Sequence, residues 1–225
     1  YASAGADILY TNTFGASKFK MEGTGVTAAE AVAASVENAR RAGSDDTMVA
    51  VDIGPLGQLL EPMGTLTFEE AYDSFKEVAV QGEKSGADLA VIETMTDLYE
   101  VKAALLAVKE NTSLPVIVSM TFGEDGRTFT GCGIEEMALL LESLGADAAG
   151  INCSLGPDEI FPLAEKLCAC TELPVFIKPN AGLPDPRTGA YDISADEFAE
   201  SMEKYMDIGV CMIGGCCGTT PEYTK

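Results

Sequence analysis

Two hydrophobic periods take turns along this chain. Short, continuously apolar runs occur at 8–10, 48–51, 89–92, 116–118, 148–151, 175–177 and 210–213. Between them lie longer stretches in which apolar residues return every three or four positions. Leu98, Val101, Leu105 and Val108 share one helical face, and so do Ile134, Met137, Leu141 and Leu144. The first pattern predicts strands covered on both faces, and the second predicts amphipathic helices that press one stripe onto a sheet. Thr27-Ala28-Ala29-Glu30, Thr67-Phe68-Glu69-Glu70 and Ser194-Ala195-Asp196-Glu197 each fit a capping box and mark helix starts. A hinge precedes five of the seven runs: Gly-Ala-Asp at 5–7, 86–88 and 145–147, and Pro at 115 and 174. Strand starts lie roughly 27–40 residues apart, the spacing of βα units rather than hairpins.

Seven such units fit an open doubly wound sheet or a (β/α)8 TIM-type barrel lacking one unit. No Gly-x-Gly-x-x-Gly follows the early strands, so the usual mark of a dinucleotide-binding sheet is missing. Asn12, Asp52, Glu93, Ser119, Asn152 with Cys153, Asn180, and Cys216 with Cys217 all fall just past strand ends. In a barrel those ends converge on one mouth, whereas in an open sheet they spread along an edge. The expectation is therefore an α/β barrel, one domain over 1–225, with its first strand unit missing. Tyr1-Ala2-Ser3-Ala4-Gly5 reads as the tail of a helix, and the last helix reads as cut short at Lys225.

Composition narrows the chemistry. The formal charge is −22 without a basic cluster, which argues against nucleic acid or an anionic membrane as partner. No apolar run approaches the ~18 residues of a membrane span, and no signal peptide is evident. The absence of histidine excludes Ser-His-Asp and Cys-His catalysis and any His-containing metal site within the chain. Seven cysteines, with no secretory segment, point to a reduced, cytoplasmic setting.

The cysteines carry the sharpest signal. In Gly214-Gly215-Cys216-Cys217-Gly218 an apolar run breaks into glycines and two adjacent thiols. Neighbouring side chains on a strand point to opposite faces, so two thiols converge only where the backbone bends, and glycine permits that bend. Gly150-Ile151-Asn152-Cys153-Ser154 supplies a third sulfur from another strand end. Three thiolates suit Zn²⁺ with its fourth tetrahedral position left for substrate, and such a site turns an incoming thiol into a sulfur nucleophile without a strong base. A vicinal disulfide, or three ordinary small buried residues, remain the alternatives. Cys132, Cys168, Cys170 and Cys211 read as structural. Glu93 suits a substrate ammonium, or else a helix cap or loop acid. Asn12, Ser119, Asn152 and Asn180 could orient a ligand or satisfy loop backbone. Asp52-Ile53-Gly54-Pro55-Leu56-Gly57 could bring amides near a ligand or be only a turn.

With these residues in hand, the chain resembles the homocysteine-binding, zinc-dependent S-methyltransferase family, most closely the homocysteine domain of cobalamin-dependent methionine synthases. The resemblance runs in order through Ala4-Gly5-Ala6-Asp7, Thr11-Asn12-Thr13-Phe14-Gly15, Asp52-Ile53-Gly54-Pro55 and Ile92-Glu93-Thr94-Met95-Thr96-Asp97. It continues in Gly150-Ile151-Asn152-Cys153-Ser154, Pro179-Asn180-Ala181-Gly182-Leu183-Pro184 and Gly214-Gly215-Cys216-Cys217-Gly218-Thr219-Thr220-Pro221-Glu222. It implies a (β/α)8 barrel, zinc on Cys153, Cys216 and Cys217, and Glu93 on the amino group of homocysteine. The implied reaction is methyl transfer to the homocysteine thiol, giving methionine. The implied donor is methylcobalamin, carried with a methyltetrahydrofolate-binding module in cis or in trans. S-methylmethionine or betaine are rival donors. The family's opening strand, with its Asp-Gly-Ala/Gly-Met-Gly-Thr loop, is absent. An inactive chain with structural zinc is the non-enzyme alternative, and a fourth protein ligand such as Cys132 or an acid would mark it.

Overall fold

The computed structural model describes residues 1–225. Its elements, in chain order, are β1 (Ile8–Tyr10), α1 (Lys18–Met21), α2 (Ala28–Ala42), β2 (Met48–Ile53), α3 (Phe68–Lys84), β3 (Leu89–Met95), α4 (Leu98–Asn111), β4 (Val116–Met120), α5 (Ile134–Ser143), β5 (Ala148–Asn152), α6 (Pro157–Cys170), β6 (Val175–Lys178), α7 (Ala195–Asp207) and β7 (Val210–Ile213). The strands form one sheet in the order β1 to β7, every pair parallel. The predicted helix tail at the start is a 3-10 turn over Ala2–Ala4. The four-residue α1 carries too short a period to be read from sequence.

Local chemistry explains the repeat. All three anticipated capping boxes form, at Thr27, Thr67 and Ser194. In the Gly-Ala-Asp hinges the glycine takes a left-handed φ that ends a helix, +93° at Gly86 and +73° at Gly145. The alanine is buried. The aspartate then pins the start of the preceding strand: Asp88 accepts from Val49 N at 2.7 Å and pairs with Arg40 at 2.5 Å. Asp147 likewise accepts from Val116 N at 2.8 Å and pairs with Lys109 at 3.3 Å.

Each strand splits its side chains between two cores. Val49, Val51, Ile92, Val116, Val118, Ile151, Val175 and Ile177 belong to the large outer core beneath the helices. Ala50, Leu89, Val91, Ile117, Ala148 and Phe176 form a small inner core, with Ile8, Tyr10 and Met212 against it. The inner face is concave. On a flat sheet β1 and β6 would lie five strand spacings apart, about 24 Å. Instead Lys178 Nζ on β6 sits 3.9 Å from the centre of the Tyr10 ring on β1. Strands β1 and β7 do not pair, but Tyr1 Oη reaches across to the Thr219 carbonyl at 3.1 Å.

Two register slips interrupt the ladder. On β3 the slip falls between Ile92 and Met95, where Thr94 adopts φ 60°. On β7 it falls between Val210 and Met212, so that Cys211 is the extra residue; it is exposed, its thiol on the Val175 carbonyl at 3.3 Å. Cys211 thus sits within its strand, as expected, but outside any core.

Candidate functional site

Period-two alternation carries polar residues to the open end of the concave face. Counting by two from the inner-core positions, Asp52, Glu93, Ser119 and Lys178 are the next inward residues on β2, β3, β4 and β6, and Asn152 follows Gly150 on β5. The loops after β5 and β7 add the sulfurs.

After β5 the chain turns through two consecutive left-handed residues, Cys153 at φ 66° and Ser154 at φ 61°. Non-glycine residues in that region cost about 1–3 kcal/mol each, and they gather where function fixes the backbone. The turn is held by Cys153 N on the Lys178 carbonyl (3.1 Å) and Leu155 N on the Cys153 carbonyl (2.8 Å). After β7, Cys216 N donates to the Pro179 carbonyl at 2.8 Å, and Thr219 closes the loop with its Oγ1 on the Cys216 carbonyl at 2.7 Å. Gly218 has φ +81° and lies against the Tyr191 ring, where no Cβ would fit.

These two loops bring the Sγ atoms of Cys153, Cys216 and Cys217 within 4.8 Å of one another, with no fourth Cys, Asp or Glu in the group. Cys153 Sγ and Cys217 Sγ are 3.7 Å apart, a non-bonded distance, and all seven cysteines are free. Tetrahedral Zn–S bonds of about 2.3 Å require sulfurs about 3.8 Å apart, so the donor set fits a soft divalent cation. The hydrogen bond between Cys216 and Cys153 lowers the Cys153 thiol and raises that of Cys216, which burial raises further. Cys132 lies outside the group, its thiol on the Gly133 carbonyl at 3.2 Å.

Asn152 is fully buried and its amide is fully engaged. Oδ1 accepts from Thr94 N (2.9 Å) and Ser119 Oγ (2.8 Å). Nδ2 donates to Thr94 Oγ1 (2.8 Å) and to Cys216 Sγ (3.7 Å). An amide side chain has two acceptor and two donor positions, and all four are used here. Asn152 thereby clamps the left-handed Thr94, which fixes its neighbour Glu93, to a sulfur of the trio. Asn180 is buried too, and its Oδ1 accepts from Cys217 N at 3.0 Å. Asn12 does not join the site: it is exposed, and its carbonyl accepts from Ser35 Oγ at 3.3 Å. Its neighbours Thr11 and Thr13 are buried instead, and Asp52 N donates to their hydroxyls at 3.0 and 3.1 Å.

Glu93 pairs with Lys178 at 2.5 Å, both side chains largely buried. Burial works against the lysine ammonium, but Tyr10 and Glu93 outweigh it and hold Lys178 above its usual range. Burial, chiefly, pushes Tyr10 up to about 12. Asp52 is buried without a hydrogen bond to Oδ1, and burial followed by the charge of Glu93 raises it well above the carboxylate range. Lys178 and Tyr10 were not singled out from sequence. Lys178 lies in register with Asn152, so counting by two from Phe176 would have found it.

The chain belongs to the homocysteine S-methyltransferase family, whose model matches residues 1–225. It is similar to the methionine synthase of Mycobacterium leprae, 30% identical over 241 aligned residues, and to that of Mycobacterium tuberculosis, 31% identical over 241. Each alignment covers 100% of this chain and 20% of the relative, so the chain spans a fifth of the length of these proteins. Among solved structures, the metallated form of the Escherichia coli homocysteine methyltransferase MmuM shares the fold, with TM-score 0.84 at 22% identity over 99% of this chain and 78% of that one. No helix of this chain is long and apolar enough to cross a membrane.

Proposed function

We propose that this chain transfers a methyl group to the thiol of homocysteine, giving methionine, with Cys153, Cys216 and Cys217 as the ligands of one zinc ion. The observation that carries the proposal is the group of three sulfurs without a fourth protein donor. A structural zinc site is closed by four protein ligands, and a catalytic one keeps a position open. This favours an enzyme over an inactive chain. When bound, zinc would supply thiolate character to the substrate sulfur at neutral pH.

The chain's own residues do the rest. Glu93 receives the substrate ammonium by a charge-assisted hydrogen bond. Asn152, with its amide already engaged, positions Glu93 and Cys216 rather than touching substrate, and Ser119 acts through it. Asn180 positions Cys217. The sulfur attacks the methyl carbon in line, and its bond to carbon forms as the donor's bond to carbon breaks. Asn12, exposed on the far side of its turn, takes no part.

We read the seven curled strands as those of a (β/α)8 barrel less its first unit. The preferred donor is methylcobalamin on another module, because the methionine synthase relatives reach 30% identity across this whole chain and are five times its length. A methyltetrahydrofolate-binding module would recharge it. The test is a donor comparison with zinc-loaded chain and homocysteine. Methionine formed from methylcobalamin supports the reading, and methionine formed only from S-methylmethionine or betaine overturns the donor. Glu93→Gln is expected to weaken homocysteine binding at least about tenfold with zinc content unchanged. Loss of zinc in that variant would make Glu93 a ligand instead.

A further inference from the structure

The buried cluster beneath the sulfurs holds two carboxyl groups, Asp52 and Glu93, and one cation, Lys178. Glu93 already has its partner, since Lys178 Nζ lies 2.5 Å away. An incoming ammonium that takes the Oε2 position displaces that lysine, and a displaced buried ammonium needs another acceptor. One stands empty: Asp52 Oδ1 is buried and has no hydrogen bond. Asp52 and Glu93 are inward residues on the adjacent strands β2 and β3, and Lys178 faces them from β6. Its ammonium rests over the Tyr10 ring at 3.9 Å, beside β2, a face on which a four-carbon stem can pivot while its charge stays stabilised. Asp52 is held in place without using its carboxylate, because Thr11 and Thr13 bond to its backbone.

We propose that Lys178 is an internal stand-in for the substrate ammonium, and that Asp52 receives it when an α-amino thiol takes Glu93. The proposal rests on the reading of this site as one for homocysteine. In the resting state Asp52 is a carboxyl held protonated by its burial, and Lys178 and Glu93 are the paired charges. With the ligand bound, Asp52 gives up its proton to solvent as the Lys178 ammonium reaches it, so two ammonium groups face two carboxylates and each buried charge is paired. Asp52 is then a positioning residue that acts through Lys178, and the exchange favours thiols that bring an amino group with them. A thiol without one leaves Lys178 on Glu93 and Asp52 empty.

Binding of two thiols to the zinc-loaded chain tests this by titration calorimetry: L-homocysteine, and 4-mercaptobutyrate, which lacks only the amino group. Asp52→Asn is expected to weaken homocysteine about tenfold and 4-mercaptobutyrate less than about twofold. In a Lys178→Met background nothing remains to be received, so adding Asp52→Asn should change homocysteine affinity less than about twofold. Equal weakening of both thiols by Asp52→Asn would make Asp52 merely structural and overturn the exchange. Equal weakening of homocysteine with and without Lys178 would place the substrate directly on Asp52, and no effect in either background would leave Asp52 without a role. Either result overturns the exchange while leaving the methyltransferase reading intact. If wild-type chain binds neither thiol, that reading fails and the exchange fails with it.

Discussion

Replacing Asn152 with alanine should damage stability and the metal site together. Truncation strands Thr94 N and Ser119 Oγ, which lose acceptors at 2.9 and 2.8 Å, and Thr94 Oγ1, which loses a donor at 2.8 Å. A buried group left unpaired costs about 1–3 kcal/mol, and the small cavity adds roughly 1. Thr94, no longer clamped at φ 60°, returns about 1 kcal/mol of strain. The Thr94 hydroxyl is partly exposed and can find water. The net loss is about 4 kcal/mol. With about 2.1 cal/mol/K of unfolding entropy per residue, a 225-residue chain should melt about 8 °C lower. Thermal circular dichroism of metal-free chain is the right assay, because bound metal would add its own stabilisation. Asn152→Asp offers the contrast. It keeps both acceptor bonds and so melts closer to wild type, but it sets a carboxylate beside Cys216 and should lower metal affinity at least as much. An Asn152→Ala chain melting within about 2 °C of wild type, with metal affinity unchanged, would refute the clamp.

Two further changes probe the frame around the site. Glu100 on α4 is buried, holds Leu56 N at 2.7 Å, and is pushed up to about 7, chiefly by burial. A carboxyl raised when folded binds its proton more tightly in the native state, so its contribution is full below about pH 4.5 and is lost as pH rises through 7. Glu100→Gln should flatten that fall and gain up to about 3 kcal/mol at pH 8, read from urea unfolding; parallel pH profiles for the two chains would contradict it. Gly218→Ala forces a side chain into a left-handed position against Tyr191 and should weaken metal binding about tenfold or more. Tyr191→Ala should restore part of that loss, and no recovery would mean that backbone strain alone is responsible.

Much of this architecture was written in local patterns. Capping boxes at Thr27, Thr67 and Ser194 announce helices because each satisfies orphan N–H groups within four residues. The sulfur trio was legible because glycines flank Cys216 and Cys217 and two strand ends are apolar up to the turn. What escaped depends on register. Asn12 continues the inward period of Ile8 and Tyr10 in sequence, but β1 ends at Tyr10 and the chain beyond it buries Thr11 and Thr13 and leaves Asn12 exposed. Lys178 reads as a solvated strand end, and only the curl of the sheet, which sets β6 over Tyr10 of β1, makes it part of the site. The unpartnered Asp52 oxygen and the saturated amide of Asn152 are properties of side chains from several strands meeting. No single stretch of sequence carries them.

X-ray absorption at the zinc edge, recorded on zinc-loaded chain with and without L-homocysteine, tests the central claim most directly. The account predicts three sulfur neighbours at about 2.3 Å and one lighter atom before the thiol is added, and four sulfurs after. Four sulfurs before homocysteine, or a shell that homocysteine leaves unchanged, would contradict it.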